Sequence, residues 1–116
     1  MKFYGYKQCG TCRKAQKWLE AHDIEADMLP IRDTPPTAAE LKKMLRLLGG
    51  NRKPMLNTSS KDYRAEGVKE QLLESSDQEF IALLRENGNL IKRPFVLTES
   101  GGITGFKEEA WRDVLL

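Results

Sequence analysis

A chain of 116 residues, 40% hydrophobic and 31% charged, has the size and balance of one folded unit with a real core, not of a disordered or two-domain protein. No apolar run approaches the roughly 20 residues that span a bilayer. The net charge of +2 comes from 19 basic and 17 acidic residues interspersed along the chain, which gives no basic footprint for direct nucleic-acid binding. A strand-like pattern begins at once in Met1-Lys2-Phe3-Tyr4-Gly5, so no signal peptide is expected, and a cytoplasmic monomer is the default expectation.

The aromatic, extended run over residues 2–6 predicts a first strand. A loop with Cys9 and Cys12 follows. Ala15, Trp18, Leu19 and His22 then recur at i, i+3, i+4 and i+7, predicting a helix over about residues 11–22. Ile24 to Ile31, closed by Pro30, predicts a second strand and completes a βαβ opening. After the Asp33-Thr34-Pro35-Pro36 loop, Thr37 and Glu40 form a capping-box pattern ahead of the stripe Leu41, Met44, Leu45, Leu48, and Gly49-Gly50 stops it. Residues 51–64 read as polar and irregular, a weaker helix covers Val68–Leu73, and Ser76 with Glu79 marks a second capping box before a helix ending at Gly88.

The last third changes character. Leu90 to Leu97 passes through Pro94 into an apolar strand, Gly101-Gly102 predicts a hairpin turn, and Ile103-Thr104-Gly105-Phe106 its partner strand. Ala110, Trp111, Val114 and Leu115 pattern a closing helix. Strands at both ends with helices between them predict an α/β fold over residues 1–116, with a helical insertion at about 37–88. Trp18 and Trp111 fall on helical stripes and are expected in the core.

The two cysteines admit three readings: a redox pair, half of a zinc site, or two inert buried thiols. A C-x-x-C normally needs a second pair of ligands to hold zinc, and His22, the only histidine, falls on the apolar stripe. No nucleotide, flavin or phosphate-loop motif is present, and no bound cofactor is expected. Placement of Cys9-Gly10-Thr11-Cys12 between a strand and a helix favours the redox reading. Cys9 then precedes the helix, where unpaired backbone N–H groups and the dipole favour a thiolate, with Lys7 and Arg13 close in sequence. Cys12 lies one turn in and should be more covered, so Cys9 is expected to attack and Cys12 to resolve. Lys14 and Lys17 extend the basic run as an exposed helix face.

Arg93-Pro94 is the second informative feature. In a thioredoxin-like domain the loop entering the third strand carries a cis proline that faces the cysteine loop, and Arg93 would bring a permanent cation to a thiolate or an oxyanion. Pro94 and Arg93 therefore join Cys9, Cys12, Lys7, Gly10, Thr11 and Arg13 as candidate site residues.

Tyr4, the run Cys9-Gly10-Thr11-Cys12-Arg13-Lys14-Ala15, Pro35-Pro36, Leu56-Asn57-Thr58, Leu90-Ile91-Lys92-Arg93-Pro94 and Gly105-Phe106 together resemble the arsenate reductase ArsC / Spx family over nearly the whole chain. The resemblance is greatest to small ArsC-like proteins with a C-x-x-C loop. It implies a thioredoxin-like fold: a central mixed four-stranded sheet flanked by helices, with a helical insertion. It also implies one of two activities. Arsenate reductases attack arsenate with the cysteine matching Cys9, hold the oxyanion with arginines, and draw electrons from glutathione or glutaredoxin. Spx-type regulators use both cysteines as a switch and bind the C-terminal domain of the RNA polymerase α subunit. Of the arginine clamp, Arg93 is matched, while Asn57 and the Gly105-Phe106 region stand where other arginines are implied. Ser59 stands at the switch arginine of Spx, and Asn51 at its contact glycine. The expectation is a thiol–disulfide oxidoreductase of arsenate reductase-like type, with glutathione, thioredoxin or glutaredoxin as electron donor; the alternative is an Spx-like regulator.

Overall fold

A computed structural model describes all of residues 1–116. Strand β1 (Lys2–Gly5) leads through the cysteine loop into helix α1 (Gly10–Ala21), and β2 (Met28–Pro30) follows. Between β2 and strand β3 (Phe95–Leu97) lie four helices: α2 (Ala38–Leu47), α3 (Lys61–Arg64), α4 (Val68–Glu74) and α5 (Asp77–Glu86). Strand β4 (Gly102–Thr104) and helix α6 (Glu108–Leu115) complete the chain. The sheet order is β2-β1-β3-β4, with β1 parallel to β2 and antiparallel to β3, and β3 antiparallel to β4. This is the α/β fold that the element order predicts, with the mixed four-stranded sheet that the family resemblance implies.

Alternation along the strands divides the core. Phe3 and Val96 point to one face, where Ala15, Trp18, Leu19 and Trp111 cover them from α1 and α6. Tyr4, Phe95 and Leu97 point to the other, under Leu41, Met44 and Leu45 of α2 and Phe80, Ile81 and Leu84 of α5. Both tryptophans are core residues, as expected; Trp111 also donates its Nε1–H to the Gly105 carbonyl at 2.9 Å.

Local chemistry sets the boundaries. The Thr37–Glu40 capping box forms in full, and Tyr4 Oη donates to Glu40 at 2.7 Å, tying α2 to β1. At α5 only half of the predicted box forms. Ser76 caps the Glu79 amide, but the Glu79 carboxylate accepts from the Ser76 hydroxyl instead of from its backbone N–H. Strand β2 is shorter than predicted because Asp23, at φ 56°, and the Ile24 amide bonded to the Leu19 carbonyl turn the chain out of α1. The hairpin turn sits one step earlier than predicted. Thr98 closes it on Gly101, while Gly102 already belongs to β4, which ends at Thr104 before Gly105-Phe106.

The segment read as irregular, 51–64, contains two of the most buried side chains, Met55 and Leu56. Leu56 bridges to Ile91, the Asn57 amide donates to the Leu90 carbonyl, and the Lys92 amide donates to the Met55 carbonyl. This short extended pairing fixes residues 53–58 beside the entrance to β3. Arg52 secures the other side, donating to the Leu72 carbonyl and to Asp77, both at 2.8 Å, with its guanidinium over the Phe80 ring.

Candidate active site

Cys9 is the N-cap of α1, and its sulfur accepts from the Cys12 amide at 3.4 Å. The cap places Sγ where the first-turn amides converge. Both cysteines are thiols in this structure; Cys9 is half-buried, whereas Cys12 is fully buried. Behind Cys12 stands Gly5 of β1. A Cβ at Gly5 would lie 3.1 Å from Cys12 Sγ and 3.2 Å from the Phe3 ring, so a bare backbone lets the inner thiol fit between α1 and the sheet.

The two thiols differ in acidity for identifiable reasons. At Cys9 burial alone raises the pKa, but the Cys12 amide, the Cys12 thiol, the charge of Arg93 and the Thr11 amide outweigh it, and the net shift is downward. At Cys12 burial dominates; a backbone hydrogen bond from Tyr6 and the charge of Arg93 lower the value, while donation to Cys9 and the nearby Cys9 charge raise it, and the result is pushed up to about 12. These surroundings favour the anion at Cys9 and the protonated form at Cys12.

The Arg93–Pro94 peptide bond is cis, and Pro94 is buried. Arg93 is partly buried, with its guanidinium carbon 5.4 Å from the centroid of the Tyr6 ring; Arg32 lies over the same ring at 4.0 Å. The Arg93 Nη1 group is buried without a hydrogen-bond partner. A ligand atom that accepted from this donor would relieve a desolvation cost of about 1–3 kcal/mol.

Cys9, Thr11 and Arg93 line one cleft of about 630 Å³. Gly10 is exposed at the first position of α1, with open space where a Cβ would be. Lys7 and Arg13 are exposed and outside the cleft lining; the cation that acts on Cys9 is Arg93, because charges on solvated side chains are screened by water. His22 lies against Trp18, with ring centroids 4.1 Å apart and Nδ1 2.8 Å from the Trp18 carbonyl oxygen. No third metal-ligating side chain joins the cysteines.

Sequence reasoning missed the rest of the cleft. Lys53, Lys92, Thr104 and Lys107 line it with Cys9, beside Asn57, which the family resemblance sets at the place of a clamp arginine. Lys92 adjoins Arg93 and Lys107 follows the Gly105-Phe106 pair, so neighbourhood to recognised motifs was an available signal. Lys53 carried none, since only the pairing of 55–57 with 90–92 brings it there.

The asymmetry makes a direct prediction. Alkylation of Cys9 by iodoacetamide should rise with pH about a midpoint below the roughly 8.5 of a free thiol, with Cys12 unlabelled over the same range. Arg93→Gln should move that midpoint upward. A wild-type midpoint at or above the free-thiol value would contradict the electrostatics described.

The family model described as "ArsC family" matches residues 4–114. The uncharacterized protein YusI of Bacillus subtilis is 41% identical over 113 residues, covering 97% of this chain and 96% of that protein. The global transcriptional regulator Spx 2 of Bacillus cereus is 34% identical over 112 residues, covering 97% and 84% respectively. Among solved structures, a candidate arsenate reductase from Streptococcus mutans superposes with a TM-score of 0.87 at 34% identity, covering 99% of this chain and 97% of that one.

Proposed function

The chain belongs to the ArsC family, and we propose that within it this protein is a thiol–disulfide oxidoreductase. The observation that carries the proposal is the paired environment of the cysteines: Cys9 capping α1 at the mouth of a cleft beside an uncompensated Arg93, and Cys12 buried directly behind it. In this reading the Cys9 thiolate attacks one sulfur of a client disulfide. The client S–S bond breaks, its other sulfur leaves as a thiolate, and a mixed disulfide joins Cys9 to the client. Cys12 then attacks Cys9 Sγ, and the second client sulfur leaves, taking up the proton that Cys12 gives up. The client gains two electrons, and the protein keeps a Cys9–Cys12 disulfide, which glutathione, thioredoxin or glutaredoxin reduces. Arg93 holds negative charge on the attacking and leaving sulfurs. A reducing thiol pool of this kind places the chemistry in the cytoplasm.

Arg93 is the sole arginine lining the cleft, and Asn57 stands where the family resemblance implies another. A tetrahedral oxyanion is best held by several convergent forks, so sulfur exchange fits these residues better than arsenate reduction. Cys9→Ser should abolish exchange with oxidised glutathione, followed by mass spectrometry of the intact protein; exchange that persisted in this variant would sink the assignment.

The identity to Spx 2 favours a second reading, a redox-controlled transcription regulator. Retention of the purified C-terminal domain of the RNA polymerase α subunit in one redox state, and not in the other, would support it; no retention in either state would remove it.

A further inference from the structure

We propose that the client is a protein disulfide whose cysteine is flanked by acidic residues. The inference rests on the oxidoreductase reading above and concerns what the cleft admits. Lys53, Lys92, Arg93 and Lys107 line the cleft around Cys9, and no acidic side chain does. The three lysines are exposed, with their charges in solvent at the rim. Lys14 and Lys17 continue the cationic surface along α1, lining a depression that shares Phe106 with the cleft and carries one further cation, Arg112, against one carboxylate, Glu108. The molecule's two ion pairs, Lys2–Glu40 and Arg52–Asp77, involve none of these cations.

These cations come from α1, the turn before Leu56, the entrance to β3 and the approach to α6, so the fold assembles them, not a charge run. The whole chain is only +2. Six uncompensated positive charges on one side therefore leave the remaining surface net negative, and the molecule is electrically polarised toward Cys9. Like charges gathered at a concave surface focus the field into it, raising local anion concentration and association rates by about 10- to 1,000-fold at low salt.

What kind of anion fits follows from the nucleophile. Cys9 stands among these cations and reacts with a sulfur electrophile, which a peptide carries and a nucleic acid does not. The distribution also points to an extended partner. A small oxyanion needs donors converging on one point, whereas these lysines are spread along the rim of a cleft of about 630 Å³. Pro54, Leu56 and Phe106 add apolar wall between the charges, and Thr104 and Asn57 add polar groups for a peptide backbone. On such a surface the acidic flanks steer the client and Cys9 breaks its disulfide, with the electron balance given above.

The test uses three synthetic peptides of equal length. Each carries one cysteine as its mixed disulfide with thionitrobenzoate, flanked by glutamates, by glutamines or by lysines. Stopped-flow release of the coloured thiol gives the rate with the full-length reduced protein. At low ionic strength the glutamate peptide should react about tenfold faster than the glutamine peptide, with the lysine peptide slowest, and the ratios should collapse toward one as salt is raised. In the doubly substituted Lys53→Glu, Lys107→Glu protein the glutamate-to-glutamine ratio should fall to about one or below; because it is a ratio within one protein, it is insensitive to a general loss of activity. A wild-type ratio near one at low salt overturns the acidic-client proposal while leaving the oxidoreductase reading intact. Failure of all three peptides to react overturns that reading itself. Slowing by a single-stranded oligonucleotide, at concentrations where an unreactive polyglutamate does not compete, overturns the peptide in favour of a nucleic acid.

Discussion

Cys12→Ser is expected to arrest the reaction at the mixed disulfide, so that the protein accumulates as a stable adduct with its client. In the wild type the inner sulfur is already hydrogen-bonded to Cys9, and the second step is intramolecular. Well-oriented intramolecular reactions reach effective molarities far above any cellular thiol concentration, so turnover should fall by on the order of a hundredfold or more. Intact-mass measurement after incubation with oxidised glutathione should show one glutathione bound per chain. Cys9→Ser should show none, since the inner thiol is buried and its pKa is about 12. An adduct on Cys12 in that variant, or undiminished turnover in Cys12→Ser, would reverse the roles assigned to the two sulfurs.

Gly88→Ala is expected to produce the largest loss of stability of any single small substitution near the site. A Cβ at Gly88 would overlap the Ile31 carbonyl oxygen and lie 3.1 Å from Arg32 Cα, so both obstacles are backbone. Ile31 cannot yield freely, because its own amide donates to the Gly5 carbonyl at 3.0 Å, and Gly5 in turn packs on Cys12. Overpacking of this kind costs about 3 kcal/mol or more when no flexible side chain can move aside. Urea denaturation followed by circular dichroism reads the loss. A midpoint within error of the wild type would show that the contact between α5's exit and β2 is looser than described. Displacement of Ile31 should also reach the site, raising the alkylation rate of Cys12 in native conditions.

The architecture was legible wherever the determinant was local. The Thr37 cap, the α1 stripe through Ala15, Trp18 and Leu19, and the C-x-x-C at the strand–helix junction each lie within one or two turns of chain, and each appears as read. Where distant segments meet, the reading failed for a physical reason. Polar residues surround Met55 and Leu56, so a periodicity argument sees a loop, yet their partners at 90–92 turn them into a buried, strand-like stitch. The same stitch places Lys53 and Asn57 on the cleft. Within the candidate site, Cys9, Cys12 and Arg93 were legible from type and order. Of the cations proposed for Cys9, the two near it in sequence, Lys7 and Arg13, are screened by solvent, whereas Arg93, proposed from the Arg-Pro motif, acts on it from 84 positions downstream.

That separation has a consequence for the protein's synthesis. Strand β1 is held between β2 and β3, and β3 carries Arg93 at its entrance. Chains emerge from the ribosome N-terminus first. Cys9 therefore leaves the exit tunnel long before the residues that complete its surroundings, at a stage when neither the burial of Cys12 nor the cation from position 93 exists. Before α1 forms, the nascent chain presents two ordinary thiols, with acidities near that of free cysteine. The first-turn amides of α1 can act on Cys9 early, but the cation's share is added only when the last third of the chain inserts β3 beside β1. Full activation of the nucleophile is thus itself a report that the fold has closed.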